Sequence, residues 1–248
     1  MSAEVAEEHG HGHAHHPLQC HQFEDMDQQN ETYIVGMWSF LVTEIMFFGA
    51  MFLAYTIYRN ENPAVFIQAG HLYLLKVPGG INTVILLTSS FTMAVGVYHA
   101  QKANRILQVV FLSLTVLCAF GFLGVKAVEW YTEIGLEHHL PGPGFQYKVT
   151  PEEMKEHLGT DTLPAAQASV PASKAQLFFC LYFAMTGLHA IHVIIGILII
   201  GTLAIMVARR HPAAKYYMPI EMAGLYWHFV DIVWIFLFPL FYLIPKKG

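Results

Sequence analysis

The chain has 248 residues, 55% of them hydrophobic and only 12% charged, about half the charged share of a soluble domain. A mean hydropathy of +0.44 points to a polytopic membrane protein and argues against an ordinary soluble domain. The net charge of −5, with 13 basic residues scattered mostly through polar links, leaves no basic patch to recruit nucleic acid. Cys20, Cys118 and Cys180 fall in a polar tail and two separate apolar segments, without disulfide or metal-ligand spacing.

Residues 1–32 form a polar tail with His9, His11, His13, His15, His16 and His21 among glycines and alanines. Such imidazoles can gather around Zn²⁺ or Cu²⁺, but the same composition also describes a solvated tail. The acidic character of this tail, and the length of the apolar segment after it, do not fit a cleavable signal peptide.

The first predicted span, Tyr33–Tyr58, is long enough at about 1.5 Å per residue to cross a hydrocarbon core of about 30 Å. Its one charge, Glu44, lies roughly 16 Å along the axis, near the bilayer midplane. A carboxylate there costs about 2.5–3.5 kcal/mol by insertion scales, so it must be neutralised, paired or turned inward. Gly36, Ser39, Thr43, Ala50 and Ala54 predict close approach of a neighbouring helix.

A second span covers residues 79–99 without a charge, with Thr88, Thr92 and Gly96 as a stripe at four-residue spacing. Its Ser and Thr residues can bond back to their own helix, so they require no transport pathway. The third span, residues 106–131, ends with Lys126 and Glu129 three apart on one face. They read as an interfacial ion pair or as a proton-linked or partner contact.

Residues 132–176 form the one long loop, with a proline–glycine cluster and a short helix candidate over 151–157. The fourth span, residues 177–207, carries His189 and His192. These could be metal ligands or interhelical hydrogen-bonding groups, and no further ligand stands beside them at helical spacing. The fifth span, residues 225–244, contains His228 and Asp231 on one face, with Glu221 just upstream and Tyr226, Trp227 and Tyr242 at its ends. The fold expected is all-α: a polytopic bundle of five transmembrane helices. Basic residues Lys102, Arg105, Arg209, Arg210 and Lys215 in the short links predict a cytoplasmic N-terminus and an external C-terminus and long loop.

Five motifs in order carry a resemblance. Gly36–Tyr55 reads GMWSFLVTEIMFF and onward, Asn82–Thr92 contains NTVILLTSS, and Ala127–Tyr131 ends a helix with EWY. Thr186–Ile199 reads TGLHAIHVIIGILI, and Gly224–Phe238 contains YWHFVDIVWIFLF. Together they resemble subunit III of the haem–copper oxidases, specifically of the cytochrome c oxidases, over Gly36–Tyr242 without the long loop. Longer members have seven helices, and the first two have no counterpart in this chain, as in the short bacterial form.

The resemblance implies a non-catalytic accessory subunit of a respiratory complex in a bacterial inner membrane. It implies no haem, copper or other metal on this chain, with those cofactors in partner subunits. It also implies contact with oxidase subunit I, association with subunit II, bound phospholipid, and support of proton uptake and durability during oxygen reduction. Glu44 takes the place of the family's buried, proton-linked carboxylate. Glu221, His189, His192, His228 and Asp231 fall on its interhelical polar positions, and Arg209 and Arg210 near lipid head groups. Subunit III of a quinol oxidase and a nitric oxide reductase accessory protein remain related alternatives. A proton-coupled transporter using Glu44, His189 and Asp231 is a third, but the internal repeats and mid-membrane helix breaks of transporters are missing.

Overall fold

A computed structural model describes residues 22–63, 65, 66, 69, 76–132, 134, 172–211 and 216–243. Expectations for the histidine-rich run and for the helix at 151–157 fall outside these residues, as does most of the long loop. The described residues form α1 (Met26–Glu61), α2 (Lys76–Gln101), α3 (Arg105–Tyr131), α4 (Ala172–Ala208) and α5 (Met218–Tyr242). All five are long and apolar enough to cross a membrane. The fold is an all-α, multi-pass membrane bundle, with no strand among the described residues.

The helices run past the apolar stretches that mark them in sequence. α1 starts at Met26 because Asp25 caps it, its side chain accepting from the Gln28 N–H at 2.7 Å. α5 starts at Met218, with Pro219 in its first turn, where no hydrogen bond is lost. The ends of α2 and α4 close alike. Asn104 N–H reaches His99 O at 2.9 Å and His211 N–H reaches Met206 O at 3.0 Å. These six-to-one bonds place Ala103 and Arg210 at positive φ, 55° and 57°, as in a Schellman closure.

Side-chain pairings fix the helix directions. Tyr55 pairs with Leu240 and Asn30 with Tyr216, so α1 and α5 run parallel. Thr83 pairs with Trp234 and Ser90 with His228, so α2 opposes α5. Lys126 meets Tyr182 while Arg105 meets Val207, so α3 and α4 are also antiparallel. The chain therefore crosses alternately, up and down.

α5 is the central helix: 56% of its most apolar window is buried, against 17% for α1. It packs on α1, α2 and α4. α1 reaches the core along one seam, Leu41, Phe48 and Tyr55, at heptad spacing. Of the small residues foreseen to meet a neighbouring helix, only Ala54 is half-buried in the bundle. Ser39, Thr43 and Ala50 are exposed, and nothing lies within 4 Å of a Cβ built at Gly36. The α2 stripe is divided: Thr88 is exposed, whereas Thr92 is buried and bonds Thr115 of α3 at 2.8 Å.

Candidate functional site: polar groups within the membrane bundle

Glu44 is brought to His192, 148 residues away in sequence, with Oε2 and Nε2 3.2 Å apart. Both are largely covered, with side-chain exposures of 20% and 13%. The other ring nitrogen, Nδ1, lies 2.8 Å from Leu188 O. A carbonyl can only accept, so Nδ1 carries a hydrogen. Nε2 is then either bare and facing a carboxylic acid, or protonated and facing a carboxylate. In both cases the pair holds one proton between two atoms. Phe48 sits edge-on to the imidazole at 5.3 Å, and the Tyr226 hydroxyl donates to His192 O at 3.0 Å. These contacts hold the ring at the α1–α4–α5 junction.

Lys126 and Glu129 lie 3.0 Å apart, with exposures of 3% and 6%. They are near the end of α3 but point into the protein. The Lys126 ammonium also donates to the hydroxyls of Tyr182 at 3.1 Å and Tyr242 at 2.6 Å. Both hydroxyls donate to Glu129 Oε1. The cluster thus ties α3, α4 and α5 together, with the ammonium and the Glu129 Oε1 atom compensated by hydrogen bonds as burial demands. Tyr182 does not stand out in sequence, being an aromatic residue in an apolar span, and Tyr242 reads there only as an aromatic residue at a span end.

His228 Nδ1 bonds the Ser90 hydroxyl of α2 at 2.7 Å, and Asp231 is buried nearby on α5. The Gln101 amide nitrogen donates to Glu221 Oε2 at 3.4 Å, outside the core. His189 is sealed between Phe122 and Trp234, ring centroids at 5.6 Å and 5.4 Å. Leaving a buried polar group unpaired costs about 1–3 kcal/mol. Yet His189 and Asn82 have no hydrogen-bond partner among the described residues, and Asp231 has at most the Ser90 hydroxyl within reach.

At the end of the bundle where α1 begins, Arg105 donates through Nε to Val207 O at 2.6 Å and through Nη2 to Ala208 O. It adds a second donor to the Val207 carbonyl, which already accepts from the Arg210 N–H at 3.2 Å, and engages the Ala208 carbonyl at the end of α4. Beside it opens a cavity of about 430 Å³ lined by Arg105, Gln108, Arg210 and His211. Arg209 is exposed next to it. A second groove, about 370 Å³ and apolar, runs between α1 and α5 past Trp38, Ile45, Gly49 and Ile232.

The histidine pair does not fit axial haem or copper ligation. His192 has both ring nitrogens engaged, and His189 is walled in by aromatic rings. Among the described residues no three His, Cys, Asp or Glu side chains group as a metal site would require.

The family model described as "Cytochrome c oxidase subunit III" matches residues 162–245. The "Cytochrome c oxidase subunit 3" of Bacillus subtilis (strain 168) is 28% identical over 91% of this chain and 92% of its own length. The "Quinol oxidase subunit 3" of the same organism is also 28% identical, over 90% of this chain and 94% of its own. A "Heme-copper oxidase subunit I+III" of Aeropyrum pernix is 28% identical over 84% of this chain and 22% of its own length.

Proposed function

We propose that this chain, which belongs to the haem–copper oxidase subunit III family and is the accessory third subunit of such an oxidase, packs directly on the catalytic subunit I and supports its proton uptake without a redox centre of its own. The observation that carries this reading is the likeness over nine-tenths of the chain to third subunits of oxidases. The fusion of subunits I and III in one relative supports direct contact with subunit I. Relatives named for cytochrome c and for quinol are equally similar, so a quinol oxidase assignment fits as well. Haem and copper belong, in this reading, to partner subunits. Affinity capture of the tagged protein from mildly solubilised membranes should bring down a haem-containing subunit in equal amount. Separated from it by harsher detergent, the chain should show no haem or copper spectrum. Capture of no haem protein would end the subunit assignment, and haem retained on the separated chain would end the accessory role.

Phospholipid is the second proposed partner. Arg105, Arg210 and His211 line one cavity at a helix end, where guanidinium and imidazole groups suit a phosphate head group. The bundle is a multi-pass membrane protein, placed by this reading in a bacterial inner membrane. Lys102, Arg105, Arg209 and Arg210 lie at the end where α1 begins, which favours a cytoplasmic N-terminus. Single cysteines at Ser2 and Thr160 test this, in a background from which Cys20, Cys118 and Cys180 have been removed. An impermeant thiol reagent added to intact cells should label only the cysteine at position 160. Labelling of the other alone would invert the topology.

Glu44 is proposed as the polar clasp between α1 and α4, with proton exchange through His192 as the sharper alternative. Glu44→Gln keeps a donor and an acceptor within reach of Nε2 but gives up the shared proton. The expected result is normal assembly, turnover, pH dependence and operating lifetime for Glu44→Gln, and weakened assembly for Glu44→Ala. Faster inactivation of Glu44→Gln during turnover would assign the carboxyl a part in proton delivery.

A further inference from the structure

We propose that the interior between α2, α4 and α5 binds a short chain of ordered water molecules, gathered around Trp234 by Asn82, His189 and Asp231. These three side chains come from three helices and are 0%, 1% and 3% exposed. Both amide atoms of Asn82 and both ring nitrogens of His189 lack a hydrogen-bond partner among the described residues, and the two buried carboxyl oxygens of Asp231 have at most the Ser90 hydroxyl within reach. Buried polar side chains in folded proteins nearly always have a partner, either protein or ordered water. Unpaired atoms on α2 and α4, which both pack on α5, therefore call for one.

Trp234 locates the site. Its ring centroid is 5.4 Å from that of His189. Its indole N–H donates at 3.1 Å to the hydroxyl of Thr83, the residue after Asn82. Asp231 precedes it by about one helical turn on α5. The Ser90 hydroxyl bonds His228 Nδ1 at 2.7 Å and is also within reach of Asp231. The Lys126 ammonium lies 5.3 Å from the same Trp234 ring, and Glu129 Oε2 is a further buried oxygen without a partner. Polar groups thus continue from the α3 ion pair, past Trp234, to Asp231.

The chemistry of the set selects water over an ion. An amide donates and accepts, a neutral imidazole does each once, and a carboxylate accepts. A water molecule donates two hydrogen bonds and accepts two, which matches that mixture. Buried waters make about three hydrogen bonds each, so about two or three would satisfy these atoms. A metal ion would instead need a cluster of ligands, and none groups among the described residues.

Radiolytic labelling of the protein in nanodiscs, with the subunits that co-purify, tests the inference. Hydroxyl radicals made from enclosed water modify the side chains beside it, even when those are sealed from bulk solvent. After equilibration in ¹⁸O-labelled water and a short X-ray pulse, ¹⁸O should appear on His189 and Trp234. Phe178, equally buried within an aromatic cluster, should stay unlabelled after correction for intrinsic reactivity. Label on exposed Trp38 alone, with none on His189 or Trp234, would overturn the inference. A second arm uses His189→Phe. A hydrated interior predicts less label on Trp234 and no gain in thermal stability, whereas a dry one predicts a gain because an unpaired group has been removed. If that variant does not assemble, labelling of the unaltered protein decides.

Discussion

Gly196→Ala should destabilise the bundle by about 1–3 kcal/mol, the usual range for overpacking a closed interior. A methyl group in mid-helix ordinarily helps, by about 0.5–1 kcal/mol relative to glycine. Here a Cβ would stand 2.5 Å from Cζ3 and 2.7 Å from Cε3 of Trp227, with Tyr226 at 3.4 Å. The indole cannot easily yield. Trp227 is fully buried, and its Nε1 donates to the Ser89 hydroxyl of α2 at 2.8 Å. Withdrawing the ring would break that bond and open α5 from α2 as well as α4. Gly201, one turn and a half further along α4, has nothing within 4 Å of a built Cβ, so Gly201→Ala is the matched control. Thermal denaturation in one detergent should show Gly196→Ala melting roughly 2–12 °C lower, at about 2–4 °C per kcal/mol for a chain of this size. Gly201→Ala should melt at or slightly above the parent temperature. Equal melting of the two variants would refute the close packing of α4 on α5.

The five spans were legible because crossing a bilayer demands long apolar stretches whatever their neighbours. Glu44 was legible as an anomaly for the same reason. Its partner was not, because His189 and His192 sit at similar depth and only the rotation of α4 about its axis selects one. Rotation is hard to read in a membrane helix, where lipid-facing and core-facing residues are equally apolar. The small-residue stripe of α1 shows this: its size pattern suggested an inner face, while the core is met by Leu41, Phe48 and Tyr55. The same limit concealed Tyr182 and the role of Tyr242, whose hydroxyls act only once three helices meet. Helix ends were also set by capping rather than hydropathy, as with Asp25 before α1.

Lys126→Met should cost the most of any single change in the polar interior, about 3–5 kcal/mol, as expected when one member of a buried ion pair is removed. The ammonium supplies hydrogen bonds to Glu129, Tyr182 and Tyr242. Its ring contacts add to this, with Nζ 5.0 Å from the Tyr182 centroid and 5.3 Å from those of Trp234 and Tyr242. Methionine fills nearly the same space but leaves the Glu129 carboxylate beside two hydroxyls with no positive charge among them. The side chains are too well covered for solvent to screen the loss, at 3% and 6% exposure. Replacing both charges removes that uncompensated group, so Lys126→Met/Glu129→Leu should recover much of the stability lost by the single change. A double-mutant cycle on apparent melting temperatures measures this directly, and couplings between contacting residues run to about 0.5–3 kcal/mol. Strictly additive losses would mean that Lys126 and Glu129 do not depend on one another. A stable Lys126→Met protein would mean that the cluster does not hold α3, α4 and α5 together. Tyr242→Phe separates charge from hydrogen bonding: it keeps the ring packed on Trp234 and Phe238 and removes one donor to Glu129. It also removes an acceptor for Lys126, so two hydrogen bonds to charges end, but the ion pair itself survives and the loss should stay below that of Lys126→Met.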